Sequence, residues 1–111
     1  MLRIHPICIE VTRQVRPLSD RIAQFDPHQA KQLRNSVSAV AFNVGEGSGL
    51  RAGRRRNAYD IALGEARETL TNLQVAEAIG YIPALEPRLL NQLNQIIGTL
   101  VRILHPAAPV E

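Results

Sequence analysis

Lysine, tryptophan and cysteine are almost missing from this chain: one Lys, one Cys and no Trp occur among 111 residues. Each scarcity excludes something. A lone cysteine, Cys8, cannot close an intrachain disulfide, so the chain is not a small cross-linked scaffold. Aromatic residues make up only 4%, and none is interleaved with the arginines, so a row of base-stacking platforms is not available. No apolar run approaches the ~20 residues that a membrane-spanning helix needs. The start, from Met1 to Pro6, lacks the apolar stretch of a secretory leader. A cytoplasmic protein without a membrane partner is the expectation. Strand-like alternation, internal repeats and low-complexity linkers are also missing from the pattern.

What is there suits helices. Hydrophobic residues make up 45%, mostly Leu, Ile, Val and Ala, and the length fits one domain over residues 1–111. The formal charge is +3, carried almost wholly by Arg, with Lys31 the sole lysine. That total is small enough to serve solubility alone. The local clustering of arginines is the more informative feature.

Apolar spacing marks four segments. Ile4, Cys8, Val11, Val15, Leu18, Ile22 and Phe25 recur every three or four residues and predict a helix over Pro6–Gln24, kinked at Pro17. Cys8 falls on that seam, where a free thiol behaves as a small hydrophobe. Asp26-Pro27 supplies a capping acceptor followed by proline at the first helical position. It opens a second helix, Pro27 to about Val44, with Ala30, Leu33, Val37, Val40, Ala41 and Val44 inward. Ser36 and Ser38 lie off that line and are expected to face solvent. The third helix is expected from about Arg54 to about Ile79, with Gly80 as its stop and Tyr59, Leu63, Ala66, Leu70 and Leu73 as its stripe. Pro87 opens a fourth, ending near Leu104. Its two apolar ridges, one through Leu89, Leu93, Ile96, Leu100 and Ile103 and one through Leu90, Ile97, Val101 and Leu104, are wider than one bundle requires. A second copy of the chain is the simplest cover for that excess. Short connections make successive helices antiparallel, giving an all-α, up-down-up-down four-helix bundle with a loosely ordered tail at 105–111. In that arrangement Arg34 is expected to meet Glu65 and Glu68.

Between the second and third helices lies the stretch from Asn43 to Arg56, with glycines at 45, 47, 49 and 53 beside Arg51, Arg54, Arg55 and Arg56. Glycine adopts positive φ without steric cost, so a reversing loop is expected here. Asn43, Gly45, Glu46 and Gly47 are the residues expected to structure it. The spacing is neither that of a P-loop nor that of a dinucleotide fingerprint, which argues against nucleotide-hydrolysis chemistry and leaves an anion-binding corner open. Four cations at a helix start oppose its dipole, so Arg51, Arg54, Arg55 and Arg56 are candidates for phosphate contact with RNA or DNA. The plainer alternative is a solvated helix end. No Glu-x-x-His pair suggests a di-metal site, and His5, His28 and His105 all sit at helix ends. Neither a catalytic constellation, a metal nor a cofactor is expected.

Several of these stretches are similar to a known family. Gln32-Leu33-Arg34-Asn35-Ser36-Val37-Ser38, followed by Asn43-Val44-Gly45-Glu46-Gly47, resembles the signature of a bacterial four-helix-bundle family. That family includes proteins encoded in intervening sequences of large-subunit ribosomal RNA genes and the accessory variability determinant of diversity-generating retroelements. Ala62-Leu63-Gly64-Glu65-Ala66-Arg67-Glu68 and Ala78-Ile79-Gly80-Tyr81-Ile82 extend the likeness over roughly residues 20 to 104. Gly45, Glu65 and Asn35 depart from the usual pattern and leave the subgroup open. The resemblance implies a homopentamer around a central channel. For the retroelement subgroup it also implies contact with a reverse transcriptase and nucleic acid. The functional expectation is a non-enzymatic oligomer that binds nucleic acid through arginines, with a protein-interaction scaffold as the alternative.

Overall fold

Asp26 and Pro27 divide the first half of the chain as their chemistry dictates. The structure of the protein, a computed structural model, describes residues 2–106. Asp26 is extended at φ −147°, and its carboxylate accepts the Gln29 N–H at 3.0 Å. One of the orphan donors at the start of the helix is thereby satisfied. The helices are α1 (Ile4–Ala23), α2 (Pro27–Gly47), α3 (Ala52–Ile79) and α4 (Pro87–Leu104). α3 stops where expected. Gly80 takes φ 92°, its N–H reaches Glu77 O at 3.0 Å, and the Tyr81 N–H reaches Ala76 O at 2.9 Å. This is the paired closure of a Schellman motif.

Pro17 does not divide α1. It lies on the exposed side of one continuous helix, where water can reach the carbonyl that its missing N–H leaves unbonded. α1 starts at Ile4, two residues before the expected Pro6, because a proline in the first turn forfeits no hydrogen bond.

Each helix packs on its chain neighbours, and α4 closes back on α1, making an antiparallel four-helix bundle of 47 × 32 × 20 Å. Ile22, Leu33, Leu73, Leu93, Ile96 and Leu100 fill the core. α2 and α3 pack most extensively, because α3 turns Ala58, Ala62, Ala66 and Ala76 inward. Three pairings set their register. Gly47 meets Tyr59 at one end, Thr69 Oγ1 lies 2.9 Å from Ser36 Oγ in the middle, and at the other the Gln29 amide donates to Asn72 Oδ1 while the Asn72 amide donates to the Gln29 main-chain carbonyl.

Those pairings correct several expectations. Ser36 is buried rather than solvated, because a small hydroxyl can face Thr69 and also donate to Leu33 O at 3.1 Å. Ser38 is only half-exposed. Arg34, two positions before Ser36, lies about 200° away around the helix. It therefore faces α1 and donates from Nη1 to Ser19 Oγ at 3.1 Å instead of pairing with Glu65 or Glu68. Ser19 is accordingly buried while its neighbour Leu18 is only half-buried. Phe25 falls beyond the end of α1, is 60% exposed, and stacks on Tyr81 with ring centroids 4.9 Å apart. On α4, Leu104 is buried and Leu90, Ile97 and Val101 are half-buried, so the bundle covers more of the second ridge than expected. Most of the expected tail at 105–111 lies outside the described residues.

Candidate nucleic-acid interface

The glycine- and arginine-rich stretch is mostly helix. α2 runs on through Gly45 and Gly47, and α3 has already begun at Ala52, leaving residues 48–51 as the connection. Among the described residues the only glycine at positive φ is Gly80. Conformational freedom therefore does not explain the glycines at 45 and 47; at 47 close approach does. A Cβ on Gly47 would lie 2.7 Å from Tyr59 Cδ1 and nearer still to Cε1. One on Gly45 would lie 3.1 Å from His5 Nε2.

The connection is closed by its own hydrogen bonds. Ser48 Oγ donates to the carbonyls of Val44 and Gly45, each at 3.1 Å. The Gly49 N–H reaches Glu46 O at 3.0 Å, and the Leu50 N–H reaches Gly47 O at 3.2 Å. Arg55, one of the four candidate cations, folds back onto the end of α2. Its Nε donates to Leu50 O at 2.9 Å and to Gly47 O at 3.2 Å. A guanidinium there takes up a carbonyl of the connection, shares the last carbonyl of α2 with the Leu50 N–H, and lies favourably against the negative end of the α2 dipole. Arg55 is thus a capping residue of the turn.

The remaining three are exposed, and none forms an ion pair among the described residues. Arg51 occupies the N-cap of α3, with no side-chain capping bond and no acidic residue in the first turn. Arg51 and Arg54 line one shallow depression of about 520 Å³ with Gly49, Leu50 and Gly53. Arg56, two positions beyond Arg54, points to another side of α3. The structure therefore brings together two of the four arginines, assigns a third to capping, and separates the last.

The residues expected to structure the loop also divide. Gly47 and Glu46 contribute backbone carbonyls to the turn. Asn43 sits within α2, its Nδ2 donating to Ala39 O at 2.8 Å, and Gly45 lies in the same helix. Glu46 and Asn43 border a second depression with Arg54 and Asn57. Ser48 and Tyr59 are the structuring residues that sequence reasoning missed. A serine just beyond the helical pattern and a large ring twelve residues after a small one were the available signals.

Elsewhere, burial pushes the Cys8 thiol up to about 12, against a smaller opposing backbone hydrogen bond, so the thiol stays protonated at neutral pH. Partial burial, and then the neighbouring Glu68, hold the Glu65 carboxyl above its ordinary range, as suits a carboxylate that Arg34 does not meet. Among the described residues, no three His, Cys, Asp or Glu side chains gather as a metal-binding group. No described helix is long and apolar enough to cross a membrane.

The fold places the chain among antiparallel four-helix bundles. A solved structure with the same fold is a protein of unknown function from the S23 ribosomal protein family of Bacteroides thetaiotaomicron VPI-5482. It superposes with a TM-score of 0.81 at 21% identity, covering 92% of this chain and 98% of the other. No family model and no curated protein matches the chain.

Proposed function

We propose that the protein is a non-enzymatic, cytoplasmic homo-oligomer, a pentamer by the resemblance noted above, that holds RNA or DNA through phosphate contacts. The carrying observation is that Arg51 and Arg54 stand exposed and without ion pairs at the start of α3, where the helix dipole opposes them. An incoming phosphate relieves that repulsion and accepts the free N–H groups of the first turn. Arg56 widens the basic surface on an adjoining side. Repetition around a ring multiplies a modest patch into a strong one. The ribosomal family name of the structural neighbour is consistent with RNA as the polyanion. For a member of the retroelement subgroup, the protein partner is a reverse transcriptase. No base stacking enters, so affinity follows phosphate density and ionic strength rather than sequence. Light scattering together with salt-titrated RNA binding tests both halves. A monomer, or affinity that does not respond to salt, rejects the proposal.

One observation favours a second reading, a protein-interaction scaffold without nucleic acid. Both phenylalanines of the chain are outside the core, Phe25 at 60% and Phe42 at 69% exposure. Exposed aromatic side chains are characteristic of protein interfaces. Loss of Arg51, Arg54 and Arg56 would leave such a partner bound.

A further inference from the structure

A groove between α1 and α2 lies apart from the arginine corner. Ile9, Thr12, Val15 and Val37 line one depression of about 330 Å³. A second, of about 340 Å³, shares Ile9, Thr12 and Ser38 with it and continues to His5, Ala41 and Phe42. From Arg16 back to His5 the floor follows α1 for about 17 Å, or three helical turns. Thr12 donates its hydroxyl to Cys8 O of its own helix at 2.8 Å, which leaves its methyl group for the floor. Phe42, 69% exposed, stands at one end.

The charge around this floor has one sign. Arg13, Arg16 and Arg34 form the rim, and among the described residues no acidic side chain lines either depression. Arg34 is steadied by its bond to Ser19. Arg13 touches Glu10 at 3.2 Å, but that contact is an exposed i,i+3 pair of small energetic weight. An apolar trough three turns long with cations along it matches a helix that has apolar side chains at i, i+3 or i+4, and i+7 between rows of carboxylates.

We propose that the α1–α2 groove binds an acidic amphipathic helix from a partner protein, with Phe42 as the apolar anchor and Arg13, Arg16 and Arg34 pairing with its carboxylates. No helix of this chain fits that description. α4 has an outward apolar ridge but no Asp or Glu between Pro87 and Leu104. α3 has acids, but of its exposed large apolar residues only Val75 and Ile79 are one turn apart, and Glu65, Glu68 and Asn72 separate them from Ile61 along the same side, so it offers no three-turn stripe. The proposal does not rest on nucleic-acid binding at the corner.

The test is fluorescence anisotropy of the full chain with a helix-stapled synthetic peptide that carries Leu at heptad a and d positions and Glu elsewhere, beside an analogue with Lys in place of Glu. The Glu peptide should bind saturably and the Lys analogue should not. Phe42→Ala should weaken the Glu peptide at least about tenfold, since it removes an exposed anchor without entering the core. Arg16→Glu should weaken the Glu peptide and strengthen the Lys analogue. The Arg51→Ala/Arg54→Ala/Arg56→Ala variant should bind the Glu peptide like the parent, which separates this proposal from the fate of the RNA reading. Absence of saturable binding, or equal binding of both peptides, overturns it. So does a change of subunit number in Phe42→Ala, which would make the groove a self-association surface. Loss of RNA affinity in Arg16→Glu would make it a nucleic-acid surface and would likewise overturn the proposal.

Discussion

Replacing Gly47 by Ala sets two effects of known sign against each other. The position is the last helical residue of α2, so alanine gains up to about 1 kcal/mol of helix propensity over glycine. Against this, the new Cβ lands 2.7 Å from Tyr59 Cδ1 and closer to Cε1, on a ring that is itself buried at the α2–α3 contact. Overpacking at such a site costs about 1–3 kcal/mol. Because the clash is with ring atoms held by the core, the upper half of that range applies, and the expected net loss is about 1–3 kcal/mol. Gly53 and Gly64, also helical, have nothing within 4 Å of an added Cβ, so Ala at either should stabilise by up to about 1 kcal/mol. Urea denaturation at one fixed protein concentration reads all three as shifts of midpoint at constant slope. In a Tyr59→Ala background the penalty at Gly47 should vanish, leaving the propensity gain. If Gly47→Ala stabilises the parent as the other two do, close approach is not why glycine stands there.

Arg55→Ala removes the Nε–H shared between the Gly47 and Leu50 carbonyls and should cost about 1 kcal/mol, while Arg56→Ala stays within about 0.5 kcal/mol, both read by thermal unfolding. Ser36→Ala and Thr69→Val should each cost about 1 kcal/mol, but the double variant should cost less than their sum, because removing both partners strands no buried hydroxyl. Cys8 should resist thiol reagents at pH 8 until the chain unfolds. Its folded thiol, at about 12, lies above its ordinary value of 9.0, so stability is fully present below pH 9. As pH rises toward 12, only the unfolded chain ionises, and stability falls by up to about 1.4 kcal/mol per pH unit. Cys8→Ala should lack that component of the slope.

The helices were legible because their signals are local. Asp26-Pro27, Gly80 and Pro87 each act through their own backbone chemistry, and the period of Leu, Val and Ile is a property of one strand of sequence. The corner was misread because glycine has two uses that sequence alone does not separate. Positive φ was the expectation at Gly45 and Gly47, whereas both are helical and the contact that requires glycine at Gly47 comes from Tyr59, on the next helix. Ser36 was misplaced for a similar reason, since its partner Thr69 lies 33 residues away. Arg55 looked like its neighbours because a capping arginine and a solvated one have the same letter. Only the direction of the guanidinium toward Gly47 and Leu50 distinguishes them.

The measurement that bears most directly on the proposed function is the salt dependence of single-stranded RNA binding, compared between the parent and Arg51→Ala/Arg54→Ala/Arg56→Ala with Arg55 kept to hold the turn. At about 0.7 in log–log slope per phosphate neutralised, three arginines of one subunit supply a slope near −2, and further subunits steepen it. The parent should show at least that slope, and the variant, folded and with an unchanged subunit number, should lose both the affinity and the slope. Equal binding by the two proteins, or a flat salt response in the parent, contradicts the account.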